Sequence, residues 1–227
     1  MNQIVTKGIV LRRINYGEAD RIVTYITPDL GKISLMVKGV RKPKSKLAGS
    51  IELFGESQIT LILGKGDIGN LISARLIQNY AEITKNLDRS NLTYKIIQLI
   101  NKHLEFTAGN EFYDLVKESY DNINDLSIDL RITNIWFSLN FLDIMGHQPQ
   151  LVVKDLNNKI EKYDFNLDTM EFIENQTGEY TRNDIKYLRL ALSRKPKFLS
   201  KIKISDDTLN HLSFLMPLMT GRSGFEY

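Results

Sequence analysis

The sequence predicts an α+β protein: a small N-terminal β-barrel, then an α-helical bundle carrying a short β-hairpin insert. Three observations predict it. β-Branched runs separated by turn residues fill residues 1–80, the apolar period turns helical after Tyr80, and strand character returns at about residues 151–175. The corresponding domains are residues 1–80 and residues 81–227.

In the first domain the runs are IVTKGIVLRRI, RIVTYIT, KISLMVKGV, SQITLIL and NLISARLI. Between them lie NYGEAD, PDLG, a basic stretch and GKGDIG, all rich in turn formers. Five strands without a helical crossover point to a closed or partly closed barrel of the OB kind, with an SH3-like barrel as the main rival. GKGDIG at 64–69 matches a dinucleotide-binding glycine pattern, but strand character follows it where a helix is required, so it reads as a hairpin turn whose glycines supply positive φ.

In the second domain Leu92, Ile96, Leu99, Ile100 and Leu104 mark a helix from Ser90, and Phe112, Leu115 and Val116 a second. A third, from Ile128 to Leu142, is apolar nearly all round and belongs at the centre of a bundle. MGHQP ends it, because Gly146 suits a helix terminus and Pro149 forbids continuation. KYDFNLDTMEFIE reads as a hairpin. Helical spacing resumes over Asn183–Arg194 and from Asp206 to about Met219, with Ser205 as cap and Pro217 expected to kink or shorten the last helix.

The chain has 227 residues and no cysteine, which removes disulfides, thiolate metal sites and a cysteine nucleophile together. His103, His147 and His211 lie in separate elements without a second ligand at metal spacing. Asp155, Asp164, Asp168, Glu171 and Glu174 lack the spacing of a calcium loop and read as solvated strand faces. The sequons at Asn91 and Asn175 read as chance matches. No catalytic residue, metal site or cofactor is nominated, and a binding protein is favoured over an enzyme. With no apolar run long enough to span a bilayer and no signal-peptide pattern, the expected location is cytoplasmic.

Charge is uneven. Residues 1–80 hold twelve Lys and Arg against six Asp and Glu, whereas the remainder is net acidic. The concentration lies in VKGVRKPKSK, residues 37–46, where Lys38, Arg41, Lys42, Lys44 and Lys46 occur without an acid. So many charges cannot all be buried, and they set up a local positive potential that fits a polyanion. A solubilising loop or an import signal fits the run as well. Arg12 and Arg13 end one strand, Lys32 opens another and Arg75 lies on the last, so the barrel is expected to gather them into one groove. Tyr16 and Tyr25 are candidates for base stacking, although packing in the barrel fits them too.

These segments resemble the RecO family of bacterial DNA repair and recombination mediators. YGEADRI, the TPDLGK turn, the KGVRKPKSKL loop and the MGHQPQL helix end occur in that family's order, closely over the first eighty residues and loosely beyond. The resemblance implies an OB-fold whose basic surface falls on Arg12, Arg13, Lys32, Lys38, Arg41, Lys42, Lys44, Lys46 and Arg75. It implies a non-catalytic, nucleoid-associated protein that binds single- and double-stranded DNA, anneals complementary strands and helps load the recombinase RecA. The implied partners are RecR and the acidic, apolar-tipped tail of single-strand-binding protein. Lys186, Arg189, Arg194, Lys195 and Lys197 are candidates for the basic rim of the tail's dock, and read equally as an ordinary exposed helix face. Many family members carry a four-cysteine zinc site after GHQPQL. This chain has neither cysteine nor histidine there, so the hairpin is expected to hold by Phe165, Leu167, Met170 and Phe172. Two other readings remain: a generic OB-fold module for RNA, and a protein-recruiting adaptor whose basic loop is incidental.

Overall fold

The computed structural model describes residues 2–64, 66–104, 110–152 and 161–225. They form two compact units, Met1–Asn124 and Asp125–Tyr227.

The first unit is built on β1 (Ile4–Tyr16), β2 (Asp20–Thr27), β3 (Gly31–Val37), β4 (Gly55–Ile62) and β5 (Ile68–Asn79). They close into a barrel in the order β1-β2-β3-β5-β4, antiparallel except where β3 runs parallel to β5. This is the OB arrangement. Alternation sends Val10, Val23, Tyr25, Leu35, Ile59 and Leu61 inward to a common core. Register shifts that leave Leu11 of β1, and Ile72 and Ile77 of β5, without a partner are bulges of the kind that bend strands enough to close a barrel. GKGDIG joins β4 to β5 as a hairpin, with Lys65 outside the described residues. The constraint at Gly69 is contact: a Cβ there would stand 2.9 Å from the Ile62 carbonyl and from Leu35.

Three helices follow in the same unit: α1 (Ala81–Lys85), α2 (Leu87–His103) and α3 (Asn110–Asn124). α2 begins before Ser90 because the Asn86 side chain accepts from the Arg89 amide at 3.0 Å, capping an earlier turn. α2 packs on β1, and α3 packs on β2 and β3. These helices cover part of the barrel wall: Ile9, Thr24 and Ile26 are buried although they stand outside the barrel's inner cluster.

The second unit centres on α4 (Leu130–Ile144), which packs against α5 (Arg182–Ser193), α6 (Pro196–Leu199) and α7 (Asp206–Arg222). Asp129 caps α4, and the Arg131 guanidinium pairs with both Asp129 and Asp206, tying the starts of α4 and α7 together. α4 ends at Gly146, whose φ of 77° lets the His147 amide reach back to the Leu142 carbonyl at 2.8 Å. A Thr181/Asp184 capping box starts α5.

Of the two outcomes expected at Pro217, a kink or a shortened helix, shortening does not occur; α7 runs on to Arg222. Proline leaves the Ser213 carbonyl without its usual donor. The Asn134 amide, from α4, donates to that carbonyl at 3.4 Å and to the Ser213 hydroxyl at 3.0 Å. A neighbouring helix thus supplies what the proline removes.

The insert is a three-stranded sheet ordered β7-β6-β8, from β6 (Lys162–Asn166), β7 (Glu171–Glu174) and β8 (Tyr180–Thr181). It extends the expected hairpin by one strand; residues 153–160, Asp155 among them, lie outside the described residues. Phe165, Phe172 and Tyr180 stack edge to face, with centroids 4.9 and 5.4 Å apart. Asp164 organises the turn before β8, accepting from the Asn175 side chain at 2.5 Å and the Glu179 amide at 3.3 Å. A Cβ on Gly178 would stand 2.4 Å from the Tyr163 backbone, so only glycine fits.

Candidate nucleic-acid interface

The basic stretch is an ordered segment, not a flexible loop. The Gly39 amide donates to Asp20 Oδ1 at 2.7 Å, the Arg41 amide to the Ala19 carbonyl at 2.9 Å and Arg41 Nη1 to the Gly17 carbonyl at 3.1 Å. YGEAD and KGVRK are therefore two sides of one joint: the turn between β1 and β2 offers acceptors, and the stretch after β3 offers donors. Gly39, at φ 67°, makes the reversal that brings its amide to Asp20.

Apolar residues pin the segment from beneath. Val40 is 3% exposed and Ile51, in a 3-10 turn at Ala48–Ile51, is fully buried. Both join the barrel core, with Leu47, Ala48 and Leu53 packed against it. The segment from Lys38 to Leu53 thus stoppers one mouth of the barrel, leaving Lys38, Arg41, Lys42, Lys44 and Lys46 exposed on its outer side.

Tyr16, at the end of β1 and 55% exposed, stands at the turn these cations clasp. Nearby, Arg21 donates to Asn15 Oδ1 at 3.1 Å, an addition the sequence reading missed; its place opposite Asn15 follows from the hairpin register.

Three expectations change. Tyr25 is fully buried in the barrel core, where burial pushes its hydroxyl well above the usual phenol range, so it has no face for a base. Arg13, adjacent to Arg12, points to the opposite face and pairs with Glu52 at 2.5 Å; Arg12 alone is exposed. Lys32 donates its ammonium to the Asn101 carbonyl at 2.9 Å in the last turn of α2, and partial burial lowers its pKa. Lysine there satisfies a carbonyl that has no helical partner. Arg75 is exposed on β5, in register with Gln58 of β4 and, through it, Lys7 of β1; Ser57, next to Gln58, donates its hydroxyl to the Ser50 carbonyl of the stopper segment at 2.8 Å.

In the second unit, Lys186 lines a cleft of about 380 Å³ with Tyr187, Leu190, Ile202, Lys203 and Ile204. Arg189 donates to the Leu151 carbonyl, and Arg194 lies 5.4 Å over the Phe198 ring. Arg194, Lys195 and Lys197 are exposed and do not line the cleft, so one of the five expected rim residues meets it. Lys203 is a second cation there that helical spacing could not reveal, because it precedes α7 in irregular chain.

Among the described residues no group of three or more His, Asp or Glu could hold a metal ion, and no helix is long and apolar enough to cross a membrane.

Residues 1–80 match the family model described as Recombination protein O N terminal, the span of the barrel with its basic segment. The N-terminal segment is similar to the N-terminal part of RecO proteins. Proteins named DNA repair protein RecO are similar over a longer stretch. That of Dehalococcoides mccartyi is 32% identical over 147 residues, covering 64% of this chain and 57% of the relative. That of Halalkalibacterium halodurans is 30% identical over 146 residues, with 64% and 57% covered. In Acetivibrio thermocellus the figures are 32% over 151 residues, with 66% and 59% covered. The match thus spans less than two thirds of each RecO relative's length.

Proposed function

We propose that this chain is a non-catalytic recombination mediator that binds single- and double-stranded DNA through residues 1–80, anneals complementary strands and helps load RecA in the bacterial cytoplasm, at the nucleoid. The observation that carries the reading is the stoppered barrel mouth: five exposed cations on a backbone fixed from two sides, with the exposed Tyr16 beside them. Cations held in place without buried partners meet phosphates at little ordering cost and without regard to sequence. The names of the relatives support a role in repair. RecR and the tail of single-strand-binding protein are the proposed partners, the tail's acidic groups meeting Lys186 and Lys203 at the cleft rim and its apolar tip meeting Leu190 and Ile202.

The test is affinity for unrelated oligonucleotides across a salt series, for the wild type and the R41A/K42A/K44A/K46A variant. Each lost phosphate contact flattens the log–log slope by about 0.7, so the variant should lose about 1 to 3 units of slope, weaken all sequences alike and anneal more slowly. An unchanged slope in a folded variant rejects the reading. Preference for RNA without DNA annealing would instead favour an RNA module.

A further inference from the structure

The tetrapeptide Arg-Lys-Pro-Lys occurs twice in the chain, at residues 41–44 of the stopper and at residues 194–197, where α5 ends. The second copy opens a run as cationic as the first: Arg194, Lys195, Lys197, Lys201 and Lys203 fall within ten residues, again with no acid among them. The two segments are also pinned alike. Pro196 and Leu199 are buried in α6, which packs on α4 and α5, as Val40 and Ile51 are buried beneath the first. Backbone bonds continue through the turn after α6, the Lys201 amide donating to the Phe198 carbonyl at 3.1 Å and the Ile202 amide to the Leu199 carbonyl at 3.0 Å. On this fixed backbone Arg194, Lys195, Lys197 and Lys201 are exposed, and of the five cations only Lys203 lines the cleft. Lys197 and Lys201 enter no ion pair among the described residues.

One difference points to the occupant. The first copy is followed by Ser45, the second by Phe198, which is 49% exposed with the Arg194 guanidinium 5.4 Å over its ring. An aromatic side chain left in solvent among exposed cations is the combination that grips single strands: the cations track phosphates, while the ring or the guanidinium plane stacks on an unpaired base. A duplex hides its base faces and carboxylate side chains have none, so the ring selects the single strand. We infer that residues 194–201 are a second nucleic-acid contact, in the helical unit, which takes the phosphate backbone of a single strand on Lys197 and Lys201 and a base on Phe198 and Arg194. The inference rests on the function proposed above, which assigns binding to residues 1–80, and goes beyond it.

The experiment uses the full chain, a long mixed-sequence single-stranded oligonucleotide and the duplex of the same sequence. In K197A/K201A the log–log salt slope for the single strand should flatten by about 1.4, two contacts' worth. Phe198→Leu keeps an apolar side chain without the ring, and should weaken single-strand binding about five-fold while leaving the slope and the duplex affinity unchanged. Phe198→Trp places a reporter at the site, whose emission the single strand should quench and the duplex should not; the wild type, with its buried Trp136, is the blank. Melting temperatures should change little, because the replaced side chains are exposed. An unchanged slope in K197A/K201A overturns the inference, as does emission from Phe198→Trp that single strands leave alone, or equal weakening of single strand and duplex by Phe198→Leu. Loss of polyglutamate binding in K197A/K201A with single-strand binding intact overturns it too, and would assign the segment to an acidic protein. If those results come with a flattened slope in R41A/K42A/K44A/K46A, the proposed function stands without this contact. A wild type that binds neither oligonucleotide overturns that function as well.

Discussion

The Tyr113 hydroxyl donates to the Glu56 carboxylate at 2.5 Å, joining α3 to the start of β4 in a site where Glu56 is 2% exposed. A buried carboxylate with one strong donor depends on it. Tyr113→Phe removes only the hydroxyl, so the expected loss is about 1–3 kcal/mol in urea unfolding. Oligonucleotide affinity per folded molecule should not change. A loss below about 0.5 kcal/mol would mean that water replaces the phenol without cost.

Lys32 separates charge from structure. Lys32→Met keeps the length of the side chain but cannot donate to the Asn101 carbonyl. The variant should melt several degrees lower, consistent with about 1 kcal/mol lost, yet keep the wild-type salt slope for oligonucleotides. A flattened slope would return Lys32 to the phosphate-binding set.

Alkaline titration reads the cores directly. Burial is the leading cause that raises the hydroxyl pKa of Tyr25, Tyr80, Tyr113, Tyr120 and Tyr187 well above the phenol range and that of Tyr180 to about 12. In the unfolded chain these groups ionise near 10. A raised folded pKa leaves stability intact below pH 10 and erodes it above, because only the unfolded state then releases protons. Phenolate absorbance should rise in two stages, the exposed tyrosines first and the buried ones together with loss of helical circular dichroism. A single stage with a midpoint near 10 and no unfolding would contradict the burial.

The small sheet should be indifferent to chelators. Aromatic stacking and the Asp164 turn hold it, so prolonged EDTA treatment is expected to leave the thermal transition where it was. Gly178→Ala should strike it instead. A methyl 2.4 Å from the Tyr163 backbone forces the chain to move, and a loss of about 2 kcal/mol or more is expected by thermal melting.

The barrel was legible in the sequence because its strands are β-branched runs cut by turn residues, a signal that needs no tertiary context. α4 was legible through its all-round apolarity. The start of α2 was not, since an asparagine four residues upstream of the expected boundary looks like loop until its side chain is seen accepting from Arg89. That α7 continues past Pro217 was hidden for a related reason: the compensation by Asn134 comes from another helix, and no local pattern contains it. In the candidate interface, the exposed lysines of residues 37–46 could be read from composition, whereas the fates of Arg13, Tyr25 and Lys32 turn on which side of a strand faces the core or a helix.

The stopper at the barrel mouth links binding competence to folding. Val40 and Ile51 are core residues, and between them lie the arginine and three of the lysines that face solvent. Lifting those cations off the barrel would mean pulling two apolar anchors out of it, so the segment should not fray by itself as an ordinary surface loop does. Amide protons of Gly39 and Arg41, which are bonded across the joint, should exchange at rates close to those of the barrel strands. A protein built this way offers its cationic surface only when the whole barrel is formed, and a misfolded or partly proteolysed copy loses that surface as it loses its core.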